Sequence, residues 1–282
     1  MFCLLIERKF MEYATNQYAL ILGVSSGFGK ATAIELAKLG YNIYGVHLDF
    51  GSNKEKAEEF CRYLQNIGVR ARFFNANAAD DQKRAEIIQA IKEDFKNFED
   101  PQLRVFLHSL AFGAIKKFFS ENHEEMVSKK QIEMTMDVMA NSLIYWVQDL
   151  FKEKLLGRNA RIFAMTSIGS QRAMMNYGAI SAAKAALEAY IRQIAVELAP
   201  YRVTANAIMA GLTDTPAAQK IPGFQRMLEY AREHNPFNRN TVPEDVAKVI
   251  AKLADENFYW INGQTIAVDG GESILNFIEH SA

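Results

Sequence analysis

The sequence lacks the residues on which several classes of protein depend. It has only two cysteines, Cys3 and Cys61, which stand far apart and without other metal ligands nearby. A disulfide framework is therefore not expected, no metal site is predicted, and free thiols in a reducing compartment are the interpretation. Neither sign of charge dominates, because 32 basic and 33 acidic residues give a formal net charge of −1. Without an overall basic field, nucleic acid is not an expected partner.

Long apolar runs are also missing. The opening segment MFCLLIERKF becomes charged after Ile6, so its apolar run is shorter than a secretory signal core and far shorter than a membrane span. No later run approaches membrane length, and we therefore expect a cytoplasmic protein without a membrane partner. Residues 1–17 are interpreted as an N-terminal extension. Residues 18–282 are predicted to form a single domain, because no internal repeat or low-complexity linker divides them.

Short apolar runs alternate with longer amphipathic stretches along this domain. Seven runs begin near residues 18, 42, 69, 103, 160, 202 and 264, and several are apolar at nearly every position, as parallel strands covered on both faces are. Helix-like segments lie at about 30–60, 81–97, 131–156, 178–198 and 243–254. The alternation predicts an α/β fold in which a doubly wound, Rossmann-type parallel sheet of seven strands has helices on both faces.

A glycine-rich turn follows the first predicted strand. The segment GVSSGFGK places three glycines between that strand and a predicted helix. This arrangement allows a pyrophosphate to approach bare backbone N–H groups at the positive end of a helix. The turn therefore predicts dinucleotide binding, with a purely structural tight turn as the alternative. The residues predicted to contact the cofactor here are Gly23, Ser25, Ser26, Gly27, Phe28 and Gly29.

Residues after the second and third strands bear on the choice of cofactor. Asp49 follows the second strand, where a carboxylate can bond the adenosine ribose hydroxyls and repel a 2′-phosphate. This favours NADH only slightly, because His47 and Lys54 are close enough in sequence to accommodate a phosphate. Asn77 ends the third strand, next to Ala78, and is predicted to face the adenine edge. A turn-forming asparagine is the alternative.

From about residue 18 to 272 the sequence resembles the short-chain dehydrogenase/reductase family. The glycine turn, MTSIGS, YGAISAAK, VTANAIMAG and GQTIAVDGG follow one another in family order. The resemblance implies that a tyrosine bonds the substrate oxygen, that Lys184 holds the nicotinamide ribose and polarises the phenol, and that Ser167 orients the oxygen. A free phenol has a pKa of about 10, so it needs a cationic neighbour to exchange a proton near neutral pH.

The tyrosine and the lysine are more widely spaced than in most of that family. Ordinary members place the tyrosine four residues before the lysine, but here that position is Ile180 and the tyrosine is Tyr177. The Tyr-x6-Lys spacing resembles the enoyl-acyl-carrier-protein reductase branch, as do HSLAFG at 108–113 and Asp137 in MDV. In enoyl reduction, hydride reaches the β-carbon while charge gathers on a more distant thioester oxygen, which suits a displaced phenol.

The resemblance therefore implies NAD(P)H-dependent reduction of the trans-2 double bond of an enoyl thioester in fatty acid biosynthesis. One departure keeps other functions open, because the most familiar enoyl reductases have a second tyrosine where this chain has Ser167. The alternatives are a carbonyl reductase acting on 3-oxoacyl thioesters or small ketones, and a non-catalytic nucleotide-sensing protein. Further cofactor contacts implied by the resemblance are Ser109, Leu110, Ala111, Lys184, Gly211, Thr213 and Thr215.

The segment after the sixth strand is interpreted as the substrate side. About thirty residues separate that strand from the helix at 243, which is long for a simple connection. The resemblance implies a small mobile helical cover whose Ala217, Ile221 and Phe224 contact an acyl chain, with ordinary surface packing as the alternative. Basic residues that suit an acidic acyl carrier protein, or simply a solvated surface, are Lys116, Lys117, Lys220, Arg226, Arg232 and Arg239. Family members are usually homotetramers, and MANSLIYWVQDL fits either such an interface or a core helix.

Overall fold

The computed structural model describes residues 16–275, and in this part of the chain seven strands form one sheet. The strand order is β3-β2-β1-β4-β5-β6-β7, and all paired neighbours are parallel. The strands are Gln17–Leu22 (β1), Asn42–His47 (β2), Ala71–Asn75 (β3), Gln102–His108 (β4), Leu156–Ser167 (β5), Thr204–Ala210 (β6) and Thr265–Val268 (β7). The predicted doubly wound α/β fold is confirmed.

Helices cover both faces of the sheet. They are Gly27–Lys38 (α1), Ser52–Asn66 (α2), Asp81–Phe95 (α3), Lys129–Met136 (α4), Ser142–Lys152 (α5), Gly178–Glu197 (α6), Phe224–His234 (α7) and Pro243–Leu253 (α8). A single helix over 30–60 was wrong, because the buried strand β2 separates α1 from α2. The predicted helix at 131–156 is also interrupted, since a π-helical turn at Asp137–Asn141 joins α4 to α5 and β5 begins at Leu156.

The central strands are apolar at successive residues because each strand packs on two helical layers. In β1, Tyr18 and Leu20 belong to the hydrophobic cluster that includes residues of α3, α5 and α6. Ala19 and Ile21 belong to the opposite cluster, which includes residues of α1, α2 and α8. Successive side chains of a strand point to opposite faces, so both sets must be apolar when both faces are covered.

The order of the strands determines where a ligand can bind. The chain crosses from β1 outward to β2 and β3, and then returns to place β4 on the other side of β1. In such sheets the loops after neighbouring strands diverge at this reversal and leave a crevice at the carboxyl ends. The glycine turn, Ser109 and Ser167 all follow carboxyl ends of central strands, so the fold brings these predicted site segments to one edge.

Some sequence-based expectations fall on the ends of the chain. Cys3 and most of the predicted extension at 1–17 lie outside the described residues, and β1 begins at Gln17. Cys61 lies on α2 as a partly buried free thiol, and burial raises its pKa. Within residues 16–275, no helix combines the length and the apolar character needed to cross a bilayer.

Candidate active site

A cavity of about 250 Å³ lies at the carboxyl edge of the sheet. Its wall is largely apolar and includes several methionines, a surface that adapts to irregular apolar ligands. The polar and charged side chains are few by comparison. They are Ser109, Thr166, Ser167, Tyr177, Lys184, Thr213, Thr215, Lys220 and Glu272. The three predicted catalytic residues therefore share one cavity wall.

The glycine turn between β1 and α1 is closely packed against neighbouring backbone. A Cβ atom at Gly29 would lie 2.1 Å from the carbonyl oxygen of Gly23, and one at Gly23 would lie 2.4 Å from that of Ser109. The N-cap residue Ser26 makes no side-chain capping bond, and the first turn of α1 has no acidic residue. The helix therefore presents a positive end without a competing carboxylate, which fits a cofactor pyrophosphate.

Asp49 is held at the end of β2. Its carboxylate accepts a hydrogen bond from Nδ1 of His47 at 2.9 Å, and its backbone N–H donates to Asn75 Oδ1 at 3.0 Å. His47 is buried, with only 5% of its surface exposed, so its ring faces Asp49 rather than solvent. These contacts hold the carboxylate at the end of β2, and its role beside an adenosine ribose stays a prediction.

The segment after β3 forms a turn. Asn77 Oδ1 accepts a hydrogen bond from the backbone N–H of Ala79 at 3.0 Å, as in the turn-forming alternative. The backbone carbonyl of Ala78 accepts from Trp146 Nε1 at 2.8 Å, which ties this turn to α5. Neither residue lines the cavity, so their adenine-binding role remains a prediction.

The loop after β4 is fixed by buried polar groups. His108 is fully buried and its Nε2 lies 2.8 Å from Ser142 Oγ. Because the Ser142 hydroxyl donates its proton to the Val138 carbonyl, Nε2 of His108 must be the donor in this pair. Burial, with a smaller effect from the charge of Lys184, lowers the pKa of His108 to about 3, so the imidazole is neutral. It supports the loop and is not part of the cavity wall.

Tyr177 is the N-cap residue of α6 and not a residue within the helix. Its ring lies against the backbone of Gly169, where an added Cβ would be 2.8 Å from the ring carbon Cε1. Tyr177 still takes part in the helical hydrogen-bond pattern of α6, because its carbonyl accepts a hydrogen bond from the Ser181 N–H at 2.8 Å. Burial raises the pKa of the Tyr177 phenol, while the neighbouring Ser167 hydroxyl acts in the opposite direction.

Ser167 ends β5 and faces the same cavity. Its Oγ is shielded from solvent and has no hydrogen-bond partner among residues 16–275. The hydroxyl is nevertheless near enough to Tyr177 to influence its pKa. A buried polar atom without a complete partner is costly, so it marks a place for a ligand oxygen.

Lys184 is buried within the wall, with 5% of its surface exposed. Its Nζ donates to the carbonyl oxygen of Met165 at 2.7 Å and lies 3.5 Å from that of Leu110. Burial lowers the pKa of Lys184 to about 8, and the charge of Glu188 acts against this shift. The ammonium is therefore positioned between the ends of β4 and β5, beside the predicted cofactor segment 109–111.

The loop after β6 completes the opposite wall. Thr213 Oγ1 donates to the Gly211 carbonyl at 2.9 Å, and Thr215 Oγ1 accepts from the Ala218 N–H at 3.2 Å. Glu272, from the segment after β7, accepts from the Leu212 N–H with its two oxygens at 3.2 and 3.0 Å. Burial raises the pKa of Glu272. This cavity residue was missed from the sequence, where it follows VDGG without any motif of its own.

The segment predicted to cover the substrate forms a 3-10 turn at Ala218–Lys220 and the helix α7. Ala217 and Ile221 line the cavity, together with Met227 of α7. Phe224 lies outside the cavity wall and is buried, with 6% of its surface exposed, so its contact with an acyl chain stays a prediction.

Asp137, which contributed to the resemblance, also lies away from the cavity wall. Burial raises the pKa of its carboxyl, and the nearest charges that act on it belong to Asp81 and Arg84 of α3. The π-helical turn that begins at Asp137 instead places Met139 in the wall. Such turns are frequent at functional sites.

The cavity thus unites most of the predicted site. The predicted residues in its wall are Phe28, Ser109, Leu110, Ala111, Ser167, Tyr177, Lys184, Gly211, Thr213, Thr215, Ala217 and Ile221. The predicted residues outside it are Gly23, Ser25, Ser26, Gly27, Gly29, Asp49, Asn77, Ala78 and Phe224. Except for Phe224, these belong to the turns after β1, β2 and β3, which are predicted to hold the adenosine and pyrophosphate.

Known proteins are similar to this chain in sequence and in fold. Residues 23–273 match the family model described as enoyl-(acyl carrier protein) reductase. An enoyl-[acyl-carrier-protein] reductase [NADH] from Neisseria meningitidis serogroup B is 31% identical over 94% of this chain and 97% of its own length.

Two solved structures extend the comparison. The enoyl-[acyl-carrier-protein] reductase (NADH) of Aquifex aeolicus matches with a TM-score of 0.80 and 24% identity, covering 94% of this chain and 99% of that one. The promiscuous reductase LugOII, which catalyses keto-reduction in lugdunomycin biosynthesis, matches with a TM-score of 0.78 and 26% identity, covering 93% and 99%. On the family match over residues 23–273, this chain belongs to the enoyl-(acyl carrier protein) reductase family within the short-chain dehydrogenases/reductases.

Proposed function

We propose that this oxidoreductase reduces the trans-2 double bond of an enoyl thioester in fatty acid biosynthesis, with NADH or NADPH as the cofactor. Relatives in the family are named for one or the other of these cofactors. The observation that carries the proposal is the position of Tyr177, at the cap of α6 and seven residues before Lys184, in one apolar cavity with Ser167. A phenol at the N-terminus of this helix can hydrogen-bond a substrate oxygen that is remote from the carbon that accepts hydride.

The residues present fit a nicotinamide cofactor. The uncapped start of α1 and the bare glycine backbone suit its pyrophosphate, and Asp49 suits an adenosine ribose. When bound, the cofactor supplies the hydride for the β-carbon. Lys184 would hold the nicotinamide ribose, and Thr213 and Thr215 would border the nicotinamide carboxamide and the pyrophosphate. Tyr177 would donate a hydrogen bond to the thioester oxygen as charge develops there, and the α-carbon would then take a proton from solvent or a relay. The apolar wall and the cover at 217–227 exclude water from this step.

A single set of assays tests this function. Crotonyl and acetoacetyl thioesters, each with NADH and with NADPH, are compared by following the loss of absorbance of the reduced cofactor. We expect the crotonyl thioester to be reduced with the higher kcat/KM. Reduction of the acetoacetyl thioester alone would contradict the proposal, and cofactor binding without any turnover would instead indicate a nucleotide-sensing protein.

The carbonyl reductase remains the second candidate because of Ser167. Its unsatisfied hydroxyl beside Tyr177 is the arrangement expected for orienting a ketone oxygen. Turnover of oxo substrates in the same assays would support this function.

The identity of the acyl carrier and the assembly of the protein are also proposals. An acyl carrier protein would meet basic residues near the cavity, of which Lys117 and Arg239 already pair with Glu125 and Asp245 at 2.7 and 2.6 Å. We expect a homotetramer located in the cytoplasm. The segment 139–150 contributes Leu143, Trp146 and other residues to the core of one chain, as the core-helix alternative predicted.

Replacing Asp49 with asparagine is expected to improve binding of NADPH relative to NADH. Loss of the negative charge removes a repulsion of roughly 1 kcal/mol or more with a 2′-phosphate, so the ratio of the two Kd values should change by about fivefold or more. Titration calorimetry with both cofactors measures this ratio. Glu59→Gln, on the exposed side of α2, removes the same charge elsewhere and should leave the ratio unchanged. An unchanged ratio in Asp49→Asn would show that Asp49 does not face the ribose.

A further inference from the structure

The buried ammonium of Lys184 has only neutral hydrogen-bond partners. Its Nζ contacts the carbonyl oxygens of Met165 and Leu110, and within residues 16–275 it forms no ion pair of 4.0 Å or less. Removing a charge from water without a compensating charge is costly, and a buried lysine therefore tends to lose its proton. A neutral amine would bind the hydroxyls of a cofactor ribose less strongly than an ammonium, because hydrogen bonds from charged donors are the stronger ones.

Glu188 lies one helical turn after Lys184 on α6 and is also buried, with 8% of its surface exposed. Its Oε1 accepts a hydrogen bond of 2.6 Å from the hydroxyl of Thr166. Residues four apart on a helix lie on the same face, so the carboxylate and the ammonium share the face that packs against β5. The carboxylate is thus held close to Lys184 without contacting it directly.

Lys184 and Glu188 form hydrogen bonds to adjacent residues of β5. Lys184 binds the carbonyl of Met165, and Glu188 binds the side chain of Thr166. The next residue is Ser167, at the end of β5. This pair of contacts fixes both the depth of Lys184 in the cavity wall and the location of the negative charge behind it.

The other titratable groups around Lys184 do not supply a comparable charge. His108, from β4, is neutral because its pKa lies at about 3, and the pKa of Tyr177, at the cap of α6, is raised so that the phenol is protonated. Lys220 and Glu272 share the cavity but belong to its other walls. Glu188 is the acid whose charge acts on Lys184 against the effect of burial.

We propose that Glu188 is a positioning residue for the cofactor, whose buried carboxylate, held by Thr166, keeps the Lys184 ammonium charged in the cavity wall. The inference rests on the proposed role of Lys184 in binding the nicotinamide ribose. Glu188 itself does not line the cavity and touches neither cofactor nor substrate. It acts through Lys184 alone.

The test is the pH dependence of cofactor affinity. The Kd of NADH is measured by titration calorimetry between about pH 6 and 9 for the wild type and for Glu188→Gln, which keeps an acceptor for Thr166 but removes the charge. Wild-type affinity should be constant at low pH and fall as pH rises through about 8, where Lys184 loses its proton. In Glu188→Gln this fall should begin about one pH unit lower, giving a Kd up to about tenfold weaker near pH 9 and nearly unchanged near pH 6.

Matched variants separate charge from structure. Glu197→Gln removes a carboxylate from an exposed position on the same helix and should leave the pH dependence as in the wild type. Glu188→Asp retains the charge and should bring the midpoint back towards that of the wild type. An unshifted midpoint in Glu188→Gln, or an equal loss of affinity at every pH, would overturn the inference. If Lys184→Met binds NADH as tightly as the wild type at every pH, the proposed role of Lys184 fails instead.

Discussion

Tyr177→Phe is expected to lower kcat/KM for an enoyl thioester by ~10²–10⁴-fold, the range found when a group that donates a proton or hydrogen bond is lost. The phenylalanine ring can still pack against Gly169, so the cavity should keep its shape while the hydroxyl is removed. Because the thioester oxygen gains charge only as hydride arrives, the loss should appear mainly in kcat. Steady-state kinetics with the crotonyl thioester measures it.

The cofactor and a second tyrosine provide the controls for this variant. The Kd of NADH should be nearly unchanged in Tyr177→Phe, because Lys184 and the glycine turn remain in place. Tyr190→Phe removes a hydroxyl from the same helix, where it donates to Asn141 Oδ1 at 3.0 Å outside the cavity wall. That variant should lose some stability but little activity. Wild-type turnover in Tyr177→Phe would show that the phenol takes no part in the reaction.

The fold could be predicted well because its main signal is local. Strands covered on both faces are apolar at successive positions, and β2 is buried at each of its six residues. The prediction of helix boundaries is wrong where an apolar strand lies between two amphipathic helices. Over 30–60 the amphipathic patterns of α1 and α2 stand on both sides of β2, so helical periodicity alone does not show the break between them. Sequence periodicity also does not reveal the π-helical turn at Asp137–Asn141, whose Met139 packs close to Gly113.

The residues in and around the cavity divide in the same way. Tyr177, Lys184 and Ser167 could be found because their spacing is a motif and their chemistry is specific. Glu272 and Glu188 could not, since a glutamate on a helix or after a glycine pair is usually solvated. Only the three-dimensional structure brings Glu188 against Thr166 of β5 and Glu272 against Leu212 after β6. Phe224 shows a different limit of the sequence, because an apolar residue in a substrate cover can face the ligand or the cover's own core.

Gly29→Ala is expected to damage both stability and cofactor binding. The added Cβ would lie 2.1 Å from the carbonyl oxygen and 2.8 Å from the carbonyl carbon of Gly23, and both are backbone atoms that cannot rotate away. The turn must therefore move, and overpacking of this kind lowers the free energy of unfolding by about 1–3 kcal/mol or more. For a chain of this size each kcal/mol corresponds to roughly 2–4 °C in Tm. The same movement displaces the N–H groups at the start of α1.

Thermal unfolding with and without NADH distinguishes these two effects. A cofactor at about 100 times its Kd stabilises the folded state by ~2.7 kcal/mol, so wild-type Tm should rise when NADH is added. In Gly29→Ala the starting Tm should be lower and most of that rise should disappear. Gly68→Ala, after α2, is the control, because its φ of +101° strains an alanine by ~1–2 kcal/mol while its Cβ meets open space. Its Tm should fall but still rise with NADH. If Gly29→Ala also kept the full rise, the turn would serve the fold alone, and the cofactor would have to bind elsewhere.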